Sequence, residues 1–151
     1  MNDIYVILPN IRSTYNVGSI FRTADSFGVK KIFLCGITPT PKHPKVAKTA
    51  LGAENFVPWE YRKQALRLIK ELKAKGVYIL GLEKTRKSEN ILNSKPKFPM
   101  AIILGNEVLG IPLKYQKLCD LICHIEMRGK KESLNVATAF GIAGFYFSQN
   151  K

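Results

Sequence analysis

IEMRGKKESLNVATAFGIAG, residues 125–144, decides how the chain is read. An apolar run, Leu121 to Ile125, leads into it and a charged loop follows, ending at Ser133. A serine hydroxyl there is suited to accept an N–H of a helix's first turn. Small and apolar residues then continue to about Phe147: Ala137, Ala139, Gly141, Ala143 and Gly144 among Val136, Phe140, Ile142 and Phe145. A helix without a wide polar face is expected to be buried. Glycine weakens a helix, so its presence points to a second backbone passing close by. Asn135 stands in the first turn. Two readings stay open on this stretch alone: a capped core helix, or a site built at the helix start from Ser133 and Asn135.

Outward from there, apolar runs recur. Asp3 to Leu8, Lys31 to Cys35, Val77 to Leu82 and Pro99 to Leu104 read as strands, with a shorter one at Phe56 to Trp59. Between them, Val17, Ile20, Phe21, Ala24 and Phe27 recur at helical spacing, with Asn16 or Thr14 as cap and Gly28 as stop. Tyr61 to Lys75 is an amphipathic helix with Ala65, Leu68, Ile69 and Leu72 inward. A shorter helix is expected near Leu113 to Leu118. Strands alternate with helices, and the strands are apolar throughout. That pattern predicts an α/β domain, a mostly parallel sheet with helices on both faces, over residues 1–151. Ligands of such sheets bind beyond the carboxyl ends of the strands. Three loops stand there: Leu82-Glu83, Gly105 to Gly110, and Ile125 to Asn135.

Lys and Arg outnumber Asp and Glu by 24 to 11, a formal charge of +13, so a polyanionic partner is expected, nucleic acid before membrane. The proline- and lysine-bearing segment from Gly36 to Asn55 is a long loop with one helical turn near Val46 to Ala50, and such loops are usually functional. Cys35, Cys119 and Cys123 lie in apolar contexts without a Cys-x-x-Cys pair, which predicts free thiols in a reducing cytoplasm. No apolar run approaches the roughly 20 residues of a membrane span, and the first residues enter a strand without a basic leader. His43 and His124 have no metal-ligand spacing, so no metal is expected. Phosphate-loop, nucleophile-elbow and dinucleotide glycine motifs are absent from the sequence.

Three segments carry a resemblance. They are N-x-x-x-x-x-N-x-G-x-x-x-R-x-A at Asn10 to Ala24, L-G-N-E-V-L-G at Leu104 to Gly110, and I-E-M-R-G-K-K-E-S-L-N-V-A at Ile125 to Ala137. In this order and spacing the chain resembles the SpoU/TrmH-type RNA 2′-O-ribose methyltransferases of the SPOUT superfamily. Glu126 departs from the family's proline between isoleucine and methionine. The resemblance implies a C-terminal deep trefoil knot, S-adenosylmethionine bound in it, a homodimer, and a minimal member without an added N-terminal RNA-binding domain. It assigns the chemistry to Arg22, Asn16, Glu107, Ser133 and Asn135. It assigns the cofactor to Leu82, Glu83, Gly105, Asn106, Gly110, Ile125, Met127, Ser133 and Leu134. Arg12, Lys42, Lys45, Lys48, Lys84, Arg86, Lys87, Arg128, Lys130 and Lys131 are candidate RNA contacts. Transfer RNA is the favoured substrate. Ribosomal RNA, a base instead of a ribose as methyl acceptor, and an inactive RNA-binding module of the same fold are the alternatives.

Overall fold

The computed structural model describes residues 2–150. The apolar runs become β1 (Ile4–Pro9), β2 (Lys31–Cys35), β4 (Tyr78–Leu82), β6 (Met100–Leu104) and β7 (Leu121–His124). Two further strands, β3 (Trp59–Arg62) and β5 (Glu89–Asn90), close the edges. All seven lie in one sheet, order β3-β2-β1-β6-β4-β7-β5, and every named pairing is parallel. A parallel sheet must be covered on both faces. On one side lie α1 (Thr14–Ser26), α2 (Pro44–Ala50) and α5 (Val136–Ser148), packed on Ile4, Val6, Leu8, Ile102 and Leu104. On the other side α3 (Ala65–Ala74) and α4 (Leu113–Gln116) pack on Ile7, Phe33, Ile79 and Ile103. Alternate residues of one strand thus serve opposite cores. Each fully buried Leu, Ile or Phe contributes about 1.5–3 kcal/mol.

Several boundaries differ from the sequence reading. The helix expected from Tyr61 begins at Ala65, because Tyr61 and Arg62 are drawn into β3 by pairing with Leu34 and Cys35. The strand expected at Phe56 to Trp59 starts only at Trp59, and residues 53–55 form a 3-10 turn. The last strand ends at His124, not Ile125. The cap of α1 is Ser13, whose Oγ accepts from Asn16 N at 3.1 Å, instead of Asn16 or Thr14. The final helix starts at Val136 with Asn135 as cap, not at Ser133. Nor is that helix buried all round: Ala137, Phe140, Ala143 and Phe147 face the core, but Ile142 and Phe145 are 42% and 57% exposed.

The long loop after β2 is pinned, not loose. Buried Thr38 accepts from Ile11 N at 2.9 Å and donates to Leu8 O at 2.7 Å. Beyond it, α2 lies directly on α1 at Gly18. A Cβ there would run into Thr49 and the main chain at Val46 and Ala50, so only glycine allows the approach. Cys35 and Cys123 are buried, Cys119 is half-buried, and all three are free. Burial pushes their thiols up, to about 12, 11 and 12 for Cys35, Cys119 and Cys123, so none is a ready nucleophile. Among the described residues no helix is long and apolar enough to cross a membrane, and no cluster of His, Cys, Asp and Glu is built to hold a metal.

Candidate active site

β6, β4 and β7 are sheet neighbours, so their carboxyl ends, Leu104, Leu82 and His124, stand side by side. The loops that leave them, joined by the first turns of α5, enclose a cavity of about 420 Å³. That volume lies within the roughly 300–1,000 Å³ of small-molecule sites. Leu82, Glu83, Gly105, Asn106, Gly110, Ile125, Met127, Ser133 and Leu134 all line it, and so do Glu107 and Asn135. The lining also includes Leu104, Val108, His124, Glu132, Val136 and Ala139, which the sequence reading missed. Leu104 and His124 end strands, so the rule that ligands sit beyond strand carboxyl ends would have found them.

Each wall is held by hydrogen bonds of its own loop. Gly105 to Gly110 is a tight turn, with Asn106 N donating to Gly110 O at 3.2 Å and Gly110 N to Asn106 O at 3.0 Å. Both ends of the Asn106 carboxamide are used. Its Oδ1 accepts from Val108 N and Leu109 N, both at 2.9 Å, and its Nδ2 donates to Asn10 O at 2.6 Å. A Cβ at Gly105 would meet Gly110 main chain at 2.9 Å, so the two arms of the turn close only on glycine. Across the cavity, the Glu83 carboxylate accepts from Ile111 N and Lys84 N, both at 3.1 Å.

Glu107 ties the turn to α1. Its carboxylate accepts from Arg12 N and Ser13 N at 3.1 Å, and from Asn16 Nδ2 at 3.4 Å. Burial alone would raise its pKa. The backbone donors of Arg12, Glu107 and Ser13 and the Asn16 amide outweigh that and hold it below the usual carboxylate range. Negative charge at a helix N-terminus is stabilising as well. Asn16, 5% exposed, accepts in turn from Asn135 Nδ2 at 3.0 Å. Asn135 Oδ1 meanwhile caps α5, accepting from Ala137 N and Thr138 N at 2.9 and 3.2 Å. The chain Glu107–Asn16–Asn135 thus joins three segments, 91 and 119 residues apart, and sets the N-termini of α1 and α5 beside the cavity.

Other expected residues fall elsewhere. Ser133 is exposed on the cavity rim and caps nothing. Arg22 is exposed on α1 and does not line its own chain's cavity. Glu126 is outside the lining too; it faces solvent and pairs with Arg128 at 3.6 Å. Arg12, Lys42, Lys45, Lys48, Lys84, Arg86, Lys87, Arg128, Lys130 and Lys131 are all exposed, and Lys84 also borders the cavity. The lining carries three carboxylates, Glu83, Glu107 and Glu132, against the single ammonium of Lys84. A net-acidic hollow in a chain of charge +13 suits a cationic ligand. Leu82, Leu104, Ile125, Leu134, Val136 and Ala139 give it an apolar slot as well.

A second depression, more open, borders the first through Asn135. It runs between α1 and α5, past Tyr15, Ser19 and Thr23 on one side and Gly141, Ile142 and Phe145 on the other. Tyr15 is 64% exposed there.

Residues 3–145 match the model of the SpoU rRNA methylase family. The chain is 30% identical over 143 residues to YacO of Bacillus subtilis, assigned to the TrmH family of tRNA/rRNA methyltransferases. That match covers 91% of this chain and 55% of YacO. It is 32% identical over 143 residues to the 23S rRNA (guanosine-2′-O-)-methyltransferase RlmB of Nitrosomonas europaea, covering 94% of this chain and 54% of RlmB. It therefore spans about half the length of these relatives. Among solved structures, the AdoMet-bound rRNA methyltransferase of Sinorhizobium meliloti superposes with a TM-score of 0.91 at 27% identity, covering 97% of this chain and 56% of that one.

Proposed function

The chain belongs to the SpoU rRNA methylase family, and from that premise we propose that it methylates a ribose 2′-hydroxyl of RNA with S-adenosylmethionine as donor. The observation that carries this reading is the cavity itself. It is apolar enough for a purine, acidic enough for a cationic ligand, and lined by Glu107 and Asn135, which Asn16 links from behind. S-adenosylmethionine supplies a sulfonium methyl open to in-line displacement. Main chain at Gly105, Ile125 and Leu134 is placed to hold its adenosine part, and the carboxylates face its positive charge.

The protein's own task is to place the hydroxyl and ease its proton away. Placement alone supplies roughly 7–11 kcal/mol of such a barrier. Arg22 is a poor base, since a guanidinium keeps its proton. Its role is to bind the RNA phosphate and stabilise the developing alkoxide. The phosphate itself is the alternative acceptor of the proton. Asn16, Glu107 and Asn135 position the two helix ends, and Ser133 on the rim meets substrate.

Arg22 needs a second subunit to reach a cavity. The groove between α1 and α5, with Tyr15, Ile142 and Phe145 exposed, supports a homodimer closed over that face. In such a dimer α1 of one protomer approaches its partner's site. The deep knot belongs to the same proposal, with the segment after β7 as the threaded end. So does a cytoplasmic location, where RNA and reduced thiols coexist.

Transfer RNA is the substrate that the sequence favours, and the name of the 32%-identical relative supports 23S rRNA as well. Incubation with methyl-labelled S-adenosylmethionine and fractionated RNA tests both, with nucleoside analysis of the product. A 2′-O-methylnucleoside is expected. A methylated base would overturn the ribose assignment. No transfer to any fraction, together with no binding of the cofactor, would overturn the enzyme.

A further inference from the structure

Resting on the reading that the cavity takes S-adenosylmethionine, we infer that His124 and Ser88 form a positioning pair that couples the filled cavity to the basic loop 84–88. His124 ends β7 and is among the residues that line the cavity. Its Nδ1 lies 2.8 Å from Ser88 Oγ. Ser88 closes the loop that carries Lys84, Arg86 and Lys87. Its Oγ accepts from Thr85 N at 2.9 Å and lies 2.8 Å from Thr85 O. Directly after it, Glu89 and Asn90 pair with Cys123 and His124. The loop therefore starts at the cavity, where Glu83 and Lys84 line it, and returns to β7 at its end.

Ser88 has one hydroxyl proton, and the Thr85 carbonyl can only accept. That carbonyl also takes Ser88 N–H at 3.3 Å, so two arrangements satisfy the group: Ser88 Oγ–H donates to Thr85 O while His124 Nδ1–H donates to Ser88 Oγ, or Ser88 Oγ–H donates to His124 Nδ1. In the neutral ring Nε2 is an acceptor in the first and an N–H donor in the second, and in both it has no protein partner among the described residues. A ligand in the cavity completes either one. The adenosine part of the cofactor carries donors, an exocyclic amine and two ribose hydroxyls, and ring nitrogens that accept. With Nε2 engaged, the ring is held from both sides and so is Ser88. Occupancy of the cavity thereby orders a loop carrying three exposed cations. By linkage, a polyanion held by that loop changes cofactor affinity by the same factor.

The test is hydrogen–deuterium exchange of residues 84–90 with and without S-adenosylhomocysteine, beside calorimetric titration of the same ligand. In the natural protein the ligand slows exchange at least about fivefold, the low end of measured site-to-site coupling. Ser88→Ala abolishes the slowing while the ligand still binds. His124→Phe loses the slowing and weakens binding. His124→Asn, whose carboxamide can pair with Ser88 in place of Nδ1, restores the ligand-free protection of the loop but not its response. Slowing that survives in Ser88→Ala overturns the pair, as does a loop that ignores the ligand in the natural protein. Failure of S-adenosylhomocysteine to bind the natural protein is a separate result; it overturns the pair together with the cavity reading beneath it.

Discussion

The two faces of the sheet are covered by helices put to different ends. On one, α3 buries Ala65, Leu68, Ile69 and Leu72 and turns its charges outward, where Arg67 and Arg62 pair with Glu71 at 3.3 and 2.6 Å. Every apolar group it carries inward is covered by its own chain. On the other face, α5 is more apolar still, yet Ile142 and Phe145 stay exposed, and its first turn is spent on Asn16. Hydrophobicity beyond what a chain covers by itself marks a surface built for something outside that chain. The α3 face stabilises; on the reading proposed above, the α1–α5 face would also meet ligands and partners.

The sharpest separation of the two faces comes from Leu68→Ala. Loss of a buried leucine is expected to cost about 2–5 kcal/mol, read as a lower denaturation midpoint, with the cavity's ligand affinity unchanged below the transition. Arg22→Ala should do the reverse. Methyl transfer falls about 10²–10³-fold, the range seen when a single stabilising donor is removed, while cofactor titration and melting stay as they were. Near-wild-type turnover in that variant would remove Arg22 from the chemistry. Phe145→Asp on the outer side of α5 should shift the protein toward monomer in sedimentation, with the fold intact by circular dichroism. A variant that unfolds instead would place α5 with α3 as a purely structural helix.

Smaller effects probe the hydrogen-bonded chain. Asn135→Ala removes a helix cap, expected to cost about 1 kcal/mol, and frees Asn16 as well. Asn135→Asp keeps the cap but puts a second carboxylate near Glu107, so it should recover stability without recovering activity. For Glu107 the sign follows from its lowered pKa. Its contribution is complete above the ordinary carboxylate value of 4.5 and is lost as pH falls through the lower folded value. The acid limb of a pH–stability curve should therefore flatten in Glu107→Gln.

Much of this architecture is legible in the sequence. Four apolar runs predict β1, β2, β4 and β6 to within a residue or two, and the spacing of Leu68, Ile69 and Leu72 gives the buried face of α3. What resists reading is any choice that a distant residue makes. Ser13, Thr14 and Asn16 are all capping types, and Ser13 wins where Glu107, over 90 positions away, takes the N–H groups of Arg12 and Ser13. Ser133 and Asn135 compete in the same way. Asn135 wins where Asn16 accepts its amide and its own oxygen reaches two helix N–H groups. The two-residue β5 has no periodicity to detect and exists by pairing with β7. The residues that line the cavity came from resemblance. The strand pattern pointed to the three loops at the sheet's carboxyl edge, Leu82-Glu83, Gly105 to Gly110 and Ile125 to Asn135, without choosing among their residues.

Gly18 gives this face a mechanical property. Because Thr49 and the main chain at Val46 and Ala50 sit directly on Gly18, α1 and α2 are joined there with little side chain between them. Arg22, one turn along α1, and Lys45 and Lys48 on α2 ride on a single stiff bracket, their separation gauged by two backbones. On the reading proposed above, a phosphate backbone laid across them would meet charges at a set pitch.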